Sequence, residues 1–220
     1  MAEEKNNRSE KLETLDHQKH HLQHHGGVRT LNDLTFGYAL CGSFCTFSKS
    51  LKQMRALAEQ GYQLLPVMSY NAAKTDTRFG KASDFLQELR EISGRDVIQT
   101  IVGAEPIGPK KMVDLMIVAP CTGNTLAKLA NGITDTPVTM AVKSNLRIGR
   151  PVLLALATND ALAASAQNIG KLLNTKNVYF VPFAQDDPEK KPYSLVADFE
   201  KLLPAALAAL EGRQLQPILG

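Results

Sequence analysis

The chain has 220 residues, 44% hydrophobic and 21% charged, enough for one generous α/β domain and short for two. A net charge of +3, carried by lysines and arginines scattered along the sequence, argues against a nucleic-acid partner. No apolar run approaches the roughly 20 residues that span a bilayer, and the charged opening Met1-Ala2-Glu3-Glu4-Lys5 lacks the apolar stretch of a secretory signal.

Residues 1–30 read as a flexible polar tail, with Leu12, Leu15 and Leu22 as its few apolar anchors. All five histidines, His17, His20, His21, His24 and His25, lie in it. The domain that follows, residues 31–220, therefore has no imidazole for acid–base catalysis or metal ligation unless the tail folds back. No metal site is expected. Three cysteines make no disulfide framework in a chain of this size, and the cytoplasm is the expected compartment.

From residue 34 apolar runs alternate with helical spacing. Residues 34–40 form the first expected strand, followed by Cys41-Gly42-Ser43 and a helix through Phe47, Leu51, Met54 and Ala58 that stops at Gly61. Residues 62–68 read as a second strand, and Pro66 there indicates an irregular or edge position. A helix through Phe85, Leu86, Leu89 and Ile92 closes at Gly94, and residues 97–102 read as a third strand. The clearest buried strand is 114–119; it leads into Pro120-Cys121-Thr122-Gly123-Asn124-Thr125 and a helix through Leu126, Leu129 and Ala130. Pro137 behind Thr136 opens a helix to about Arg147. Strands at 152–157 and 178–181, helices at about 160–173 and 194–210, and a flap-like or interface loop at 185–192 complete the pattern. Near-continuous apolar strands separated by amphipathic helices predict a three-layer α/β sandwich on a mainly parallel sheet, with ligands outside the carboxyl ends of the strands.

Four strand-end loops are the candidate site: Gly42-Ser43-Phe44, Ser69, Thr122 to Thr125, and Thr158-Asn159. Gly37 and Gly42 have the first spacing of a phosphate loop, but no Lys-Ser/Thr pair follows, which removes triphosphate hydrolysis; no Gly-x-Gly-x-x-Gly is present either. What survives is a turn feeding a helix N-terminus, suited to a monophosphate or merely a tight connection. Thr122, Asn124 and Thr125 either cap the next helix or meet a polar ligand. Thr158-Asn159 repeats that arrangement one strand later, which points to a shared cleft. Cys45 and Cys121 are placed to be nucleophiles but lack a histidine, and buried thiols are the plainer reading. Lys143 and Arg147 read as a solvated helix face or as an anchor for a dicarboxylate substrate.

Taken together these loops resemble the flavin-dependent cysteine decarboxylase superfamily. Residues 119–135 resemble its Pro-x-Ser/Thr-x-Asn-Thr loop and following helix, Gly42-Ser43 its flavin-phosphate turn, and Ala157-Thr158-Asn159 its Ala-Met-Asn loop. Within it, residues 105–111, 138–147, 179–187 and 214–217 resemble the family of dipicolinate synthase B subunits from spore-forming bacteria, over about residue 32 to the end. The resemblance implies a flavodoxin-like fold and FMN held by Gly42, Ser43, Phe44, Ser69, Thr122, Asn124, Thr125, Thr158 and Asn159. It also implies a homo-oligomer of trimers or their multiples, and a different second chain, the A subunit of dipicolinate synthase, as partner. The implied work is oxidation of a dihydro- or hydroxytetrahydro-dipicolinate in the cytoplasm of the sporulating mother cell. A non-catalytic flavin- or substrate-binding scaffold is the alternative. A decarboxylase is disfavoured: such enzymes carry a catalytic histidine before an isoleucine in the loop preceding the long buried strand, and here Pro106 precedes Ile107.

Overall fold

The computed structural model describes residues 33–220, so the His-rich tail lies outside the described residues. Five parallel strands form the centre: β1 (Thr35–Leu40), β2 (Gln63–Met68), β3 (Leu115–Cys121), β4 (Val152–Thr158) and β5 (Val178–Phe180), in the order β2-β1-β3-β4-β5. This is the flavodoxin-like order, in which the chain reverses direction across the sheet between β1 and β3. Every residue of β3 is buried, as expected for Leu-Met-Ile-Val-Ala-Pro-Cys between two helical layers.

Helix α1 (Phe47–Glu59) packs with α3 (Ala82–Ser93) on one face, where the Phe47 and Phe85 rings meet edge to face at 4.8 Å. After β2 comes the short α2 (Tyr70–Lys74), and α4 (Ile101–Ala104) precedes β3. On the opposite face α5 (Gly123–Ala130) packs on β4, α6 (Pro137–Arg147) on β2, β3 and β4, and α7 (Ala166–Leu173) on β5. The last helix, α8 (Leu202–Leu210), returns beside α1.

Pro66 sits where its chemistry allows. Its carbonyl accepts from Ile98 N (2.9 Å) on the outer side of β2, so the donor that proline lacks would have faced the sheet edge.

Three expected elements differ, the first being the helix expected from about 160, which starts only at Ala166 after a run of turns at 159–165. Residues 97–102 make a single bridge, Ile98 to Val67, and then turn into α4 because the Thr100 side chain accepts from Gly103 N and nucleates a helical turn. Residues 194–210 do not form one helix. Leu195–Ala197 is a strand, β7, antiparallel to the end of β4 and paired with β6 (Phe183–Ala184). The cause is length: β5 pairs with β4 only over Val152 to Leu154, which leaves Ala157 and Thr158 open to β7. The loop 185–192 spans β6 and β7.

A buried hydroxyl relay fixes β1 against β3. Tyr38 Oη donates to Ser50 O (2.8 Å), and Ser50 Oγ donates to Ala119 O (2.6 Å). Ser50→Ala leaves that carbonyl buried and unpaired, a loss of about 1–3 kcal/mol. Urea unfolding is expected to show a lower midpoint at unchanged slope.

Candidate functional site at the β1/β3 edge

The four predicted loops come together at the carboxyl edge of the sheet. Ser69 N donates to Leu40 O (3.0 Å) and Cys41 N to Pro120 O (3.2 Å), tying the ends of β2, β1 and β3 into one rim. Gly123 brings in β4. A Cβ built on it would lie 2.6 Å from Thr158 Oγ1, 2.9 Å from Asp160 Oδ1 and 3.0 Å from Ser165 Oγ, so glycine permits this approach.

The polar side chains divide into those that shape the rim and those that face outward. Ser69 caps α2 by accepting from Ala72 N (3.4 Å). Thr122 caps α5 by accepting from Thr125 N (3.2 Å), and buried Thr125 donates to Cys41 Sγ (3.2 Å). These three are therefore engaged in the framework. Asn124, on the first turn of α5, is exposed. Asn159 is also exposed, its Oδ1 accepting from Ser194 Oγ (3.4 Å).

At the turn after β1, the Ser43 amide goes to Cys41 O and the Thr46 amide to Ser43 O, while Thr46 Oγ1 donates to Ser43 O. Neither Ser43 nor Thr46 caps the helical turn with its side chain, in contrast to Ser69 on α2 and Thr122 on α5. The first amides of the Phe44–Thr46 turn have no intrahelical acceptor by construction. A partly exposed, uncapped helix start beside Gly42 fits a singly attached phosphate.

Asp160 joins the site although nothing in its local sequence marks it. Thr158 Oγ1 and Ser165 Oγ both donate to its Oδ1. With Asn124, Asn131, Gln167 and Asn168 it lines a polar cleft of about 520 Å³. Its position beside Asn159 was readable, but its clustering with Gly123 and Ser165 depends on tertiary approach.

Lys143 and Arg147 are not brought to this rim. Lys143 Nζ donates to Thr134 Oγ1 (3.4 Å), and Arg147 ends α6, which runs down to the start of β4 at the amino edge.

Burial raises the Cys41 thiol to about 11, the bonds from Thr125 and Thr122 opposing it in part. Burial also raises Cys121 well above its ordinary value, with Cys41 beside it adding to the effect. Both are protonated at neutral pH and are poor nucleophiles. Cys45 is exposed. Thiol titration of the native protein near neutral pH is expected to find Cys45 fast and the other two slow until denaturation. Because Cys41 ionises later when folded than when unfolded, its contribution to stability is complete below about 9 and is lost as pH rises towards about 11. Replacing Cys41 should flatten the alkaline limb of a stability–pH curve.

A parallel sheet in this order, with its polar rim at the β1/β3 reversal, defines an α/β protein of flavodoxin-like fold. The chain belongs to the Flavoprotein family, whose model matches residues 28–204. It is 44% identical over 192 residues to the B subunit of dipicolinate synthase from Bacillus subtilis, covering 87% of this chain and 96% of the relative. The crystal structure of the dipicolinate synthase B subunit from Bacillus halodurans superposes with a TM-score of 0.80 at 43% identity, over 87% of this chain and 98% of that one. The FMN-dependent cysteine decarboxylase SpaF shares the fold, with a TM-score of 0.61 at 19% identity over 83% of this chain and 99% of its own. Among the described residues no helix is long and apolar enough to cross a membrane.

Gly123→Ala forces Thr158 and Asp160 away from α5, because the added methyl would stand well inside contact distance of both. A loss of about 1–3 kcal/mol is expected in thermal or urea unfolding, and a smaller loss would mean that this junction yields easily.

Proposed function

We propose that the chain is the flavin-binding subunit of a dipicolinate synthase, acting with a different chain, the synthase's A subunit. Together they oxidise a dihydro- or hydroxytetrahydro-dipicolinate to the aromatic dicarboxylate in the mother-cell cytoplasm during sporulation. The observation that carries this is the uncapped helical turn at Gly42-Ser43-Phe44, opening on the β1/β3 reversal of a chain similar to dipicolinate synthase B subunits. One phosphate-sized turn and no dinucleotide fingerprint favour FMN over FAD.

A bound flavin supplies an acceptor for a hydride from a ring carbon of the substrate, and aromatisation adds driving force. The chain's own residues do the rest. The backbone amides of Gly42 and Phe44, with the Ser43 hydroxyl, would hold the phosphate, the Ser43 amide being taken by Cys41 O. Ser69, Thr122 and Thr125 keep the rim in shape through their caps and the bond to Cys41. Asn124, Thr158 and Asn159 would meet the polar edge of flavin or substrate. A homo-oligomer built on trimers belongs to the same reading.

A second reading, a flavin- or substrate-binding scaffold for the other subunit, draws on the thiols. Cys41 and Cys121 are held protonated, and no histidine occurs among residues 33–220. Decarboxylation is disfavoured by Pro106, which is set in a turn of 3-10 helix, Glu105–Ile107.

Titration of the purified chain with FMN, followed by quenching of flavin fluorescence, is expected to saturate. Dipicolinate formation is expected to need both chains, and Asn124→Ala to lower it at least about tenfold, roughly one well-placed hydrogen bond. Full activity of the mutant would move the site elsewhere. Dipicolinate formation by the second chain without this one would favour the scaffold.

A further inference from the structure

The lysines and arginines look scattered in the sequence, but the fold gathers five of them at the amino edge of the sheet, opposite the candidate site. The turns entering β3, β4 and β5 carry Lys110, Lys111, Arg147, Arg150 and Lys176. Asp114 is the carboxylate in these turns, and Arg150 already pairs with it (3.5 Å). Exposed Glu105 lies further up the loop before β3.

The three turns are laced into one rigid platform. Arg150 Nη1 donates to Lys111 O (3.2 Å) and to Val113 O. Asn177 Nδ2 donates to Gly149 O (3.1 Å), which joins the third turn to the second. Ser144 Oγ donates to Glu105 O (2.6 Å) and accepts from Gly108 N (2.8 Å), seating the first turn on α6. A Cβ on Gly108 would fall 1.9 Å from Ser144 O, so the two backbones are in direct contact. Lys111 and Asn177 hold left-handed backbone angles, φ 50° and 63°. Such angles cost on the order of 1 kcal/mol or more for a residue with a side chain, and the bonds to Lys111 O and from Asn177 Nδ2 hold the two turns in place.

The bland explanation is that these cations neutralise helix ends. Helices α6 and α7 finish at this edge and together present about one negative charge. With Asp114, and with Asp33 at the entry to neighbouring β1, that offsets about three of the five cations and leaves an excess. Lys110, Lys111, Arg147 and Lys176 are exposed, and among the described residues none makes an ion pair. Leu173, on the last turn of α7, is 45% exposed close by and gives the patch an apolar element.

We infer that this platform, Lys110, Lys111, Arg147 and Lys176 around the exposed Leu173, is the docking surface for an acidic face of a different protein chain, the second subunit of the synthase. The inference rests on the two-subunit reading above. An isologous second copy does not fit, since symmetry would set the cations against themselves; a heterologous copy, as in a trimer, would instead show as a changed oligomeric mass of the glutamate triple and would overturn the surface. Nucleic acid fits poorly as well, because among the described residues these turns present no aromatic side chain on which a base would stack other than the half-buried Tyr179. Docking at the amino edge leaves the carboxyl-edge cleft open to substrate.

The test is biolayer interferometry of the full-length chain against the second subunit. Variants are Lys110→Glu/Lys111→Glu/Arg147→Glu, the matching triple glutamine, and Lys74→Glu at the opposite edge as control. Charge pairing across the interface predicts about a 100-fold loss for the glutamate triple, an intermediate loss for the glutamine triple and no change for the control. Raising salt from about 50 mM to about 300 mM should weaken wild-type binding about tenfold by screening. Circular dichroism checks that the triples fold, and the neutral triple decides if the charge-reversed one does not. Binding of both triples within about twofold of wild type overturns the surface while leaving the two-subunit reading intact. If wild type fails at either salt to bind the second subunit, the two-subunit reading falls and the surface with it. A triple-sensitive oligonucleotide interaction in that case would assign the patch to nucleic acid instead.

Discussion

The Ser50 hydroxyl holds the molecule open where it needs to be open. Strands β1 and β3 are neighbours in the sheet, yet the chain leaves them in opposite directions, so their connections cannot cover the crevice between their carboxyl ends. Keeping such a crevice requires the two strand ends to stay in register without a loop to brace them. Ser50, brought over from α1, does this by donating to Ala119 O while its own backbone carbonyl accepts from Tyr38. The next contacts out, Cys41 N to Pro120 O and Thr125 Oγ1 to Cys41 Sγ, extend the brace to the rim. In a water-excluded layer each of these bonds would be costly to leave unmade. The Gly42-Ser43 turn and the start of α5 are thereby held beside each other.

That arrangement reassigns several polar residues. Ser, Thr and Asn at strand ends look alike in a sequence, yet the rim uses them in two ways. Ser69, Thr122 and Thr125 turn inward to satisfy helix starts and a thiol, whereas Asn124 lines the cleft and Asn159 is exposed, its Oδ1 accepting from Ser194. A hydroxyl on a short side chain reaches its own helix amides easily, which is why Ser and Thr make good caps. A carboxamide carries both a donor and an acceptor outward and suits a ligand edge that has both.

Much of the fold was legible because it rests on local pattern. The buried run at β3, the proline that opens α6 and the edge proline in β2 all follow from apolar runs and from what proline cannot donate. Two elements were not. Residues 97–102 have the composition of a strand, but Thr100 offers a helix cap and β2 offers a partner only at Ile98. Residues 194–197 read as helix, but an unpaired length of β4 takes Leu195 to Ala197 as a strand. Availability of a neighbour decides both cases, and no window of sequence contains it. The site follows the same rule. Its loops were legible as strand ends, while Asp160 and the cation platform arise from residues brought together across tens of positions.

The two edges of the sheet now present opposite chemistry, and topology explains why they can. At the carboxyl edge the helices begin, so their dipoles and the uncapped turn at Phe44–Thr46 create a weakly positive rim, with a single carboxylate, Asp160, on the lining of its cleft. That rim suits an anionic ligand without requiring any basic side chain to sit there. At the amino edge the helices end, and their exposed carbonyls favour lysine and arginine nearby. Arg147, at the end of α6, follows that preference and stands outside the cleft although it is a sensible partner for a carboxylate. A rim whose positive character comes from helix starts leaves cations free for another surface. In this chain five of them are collected on an edge that the cleft does not use.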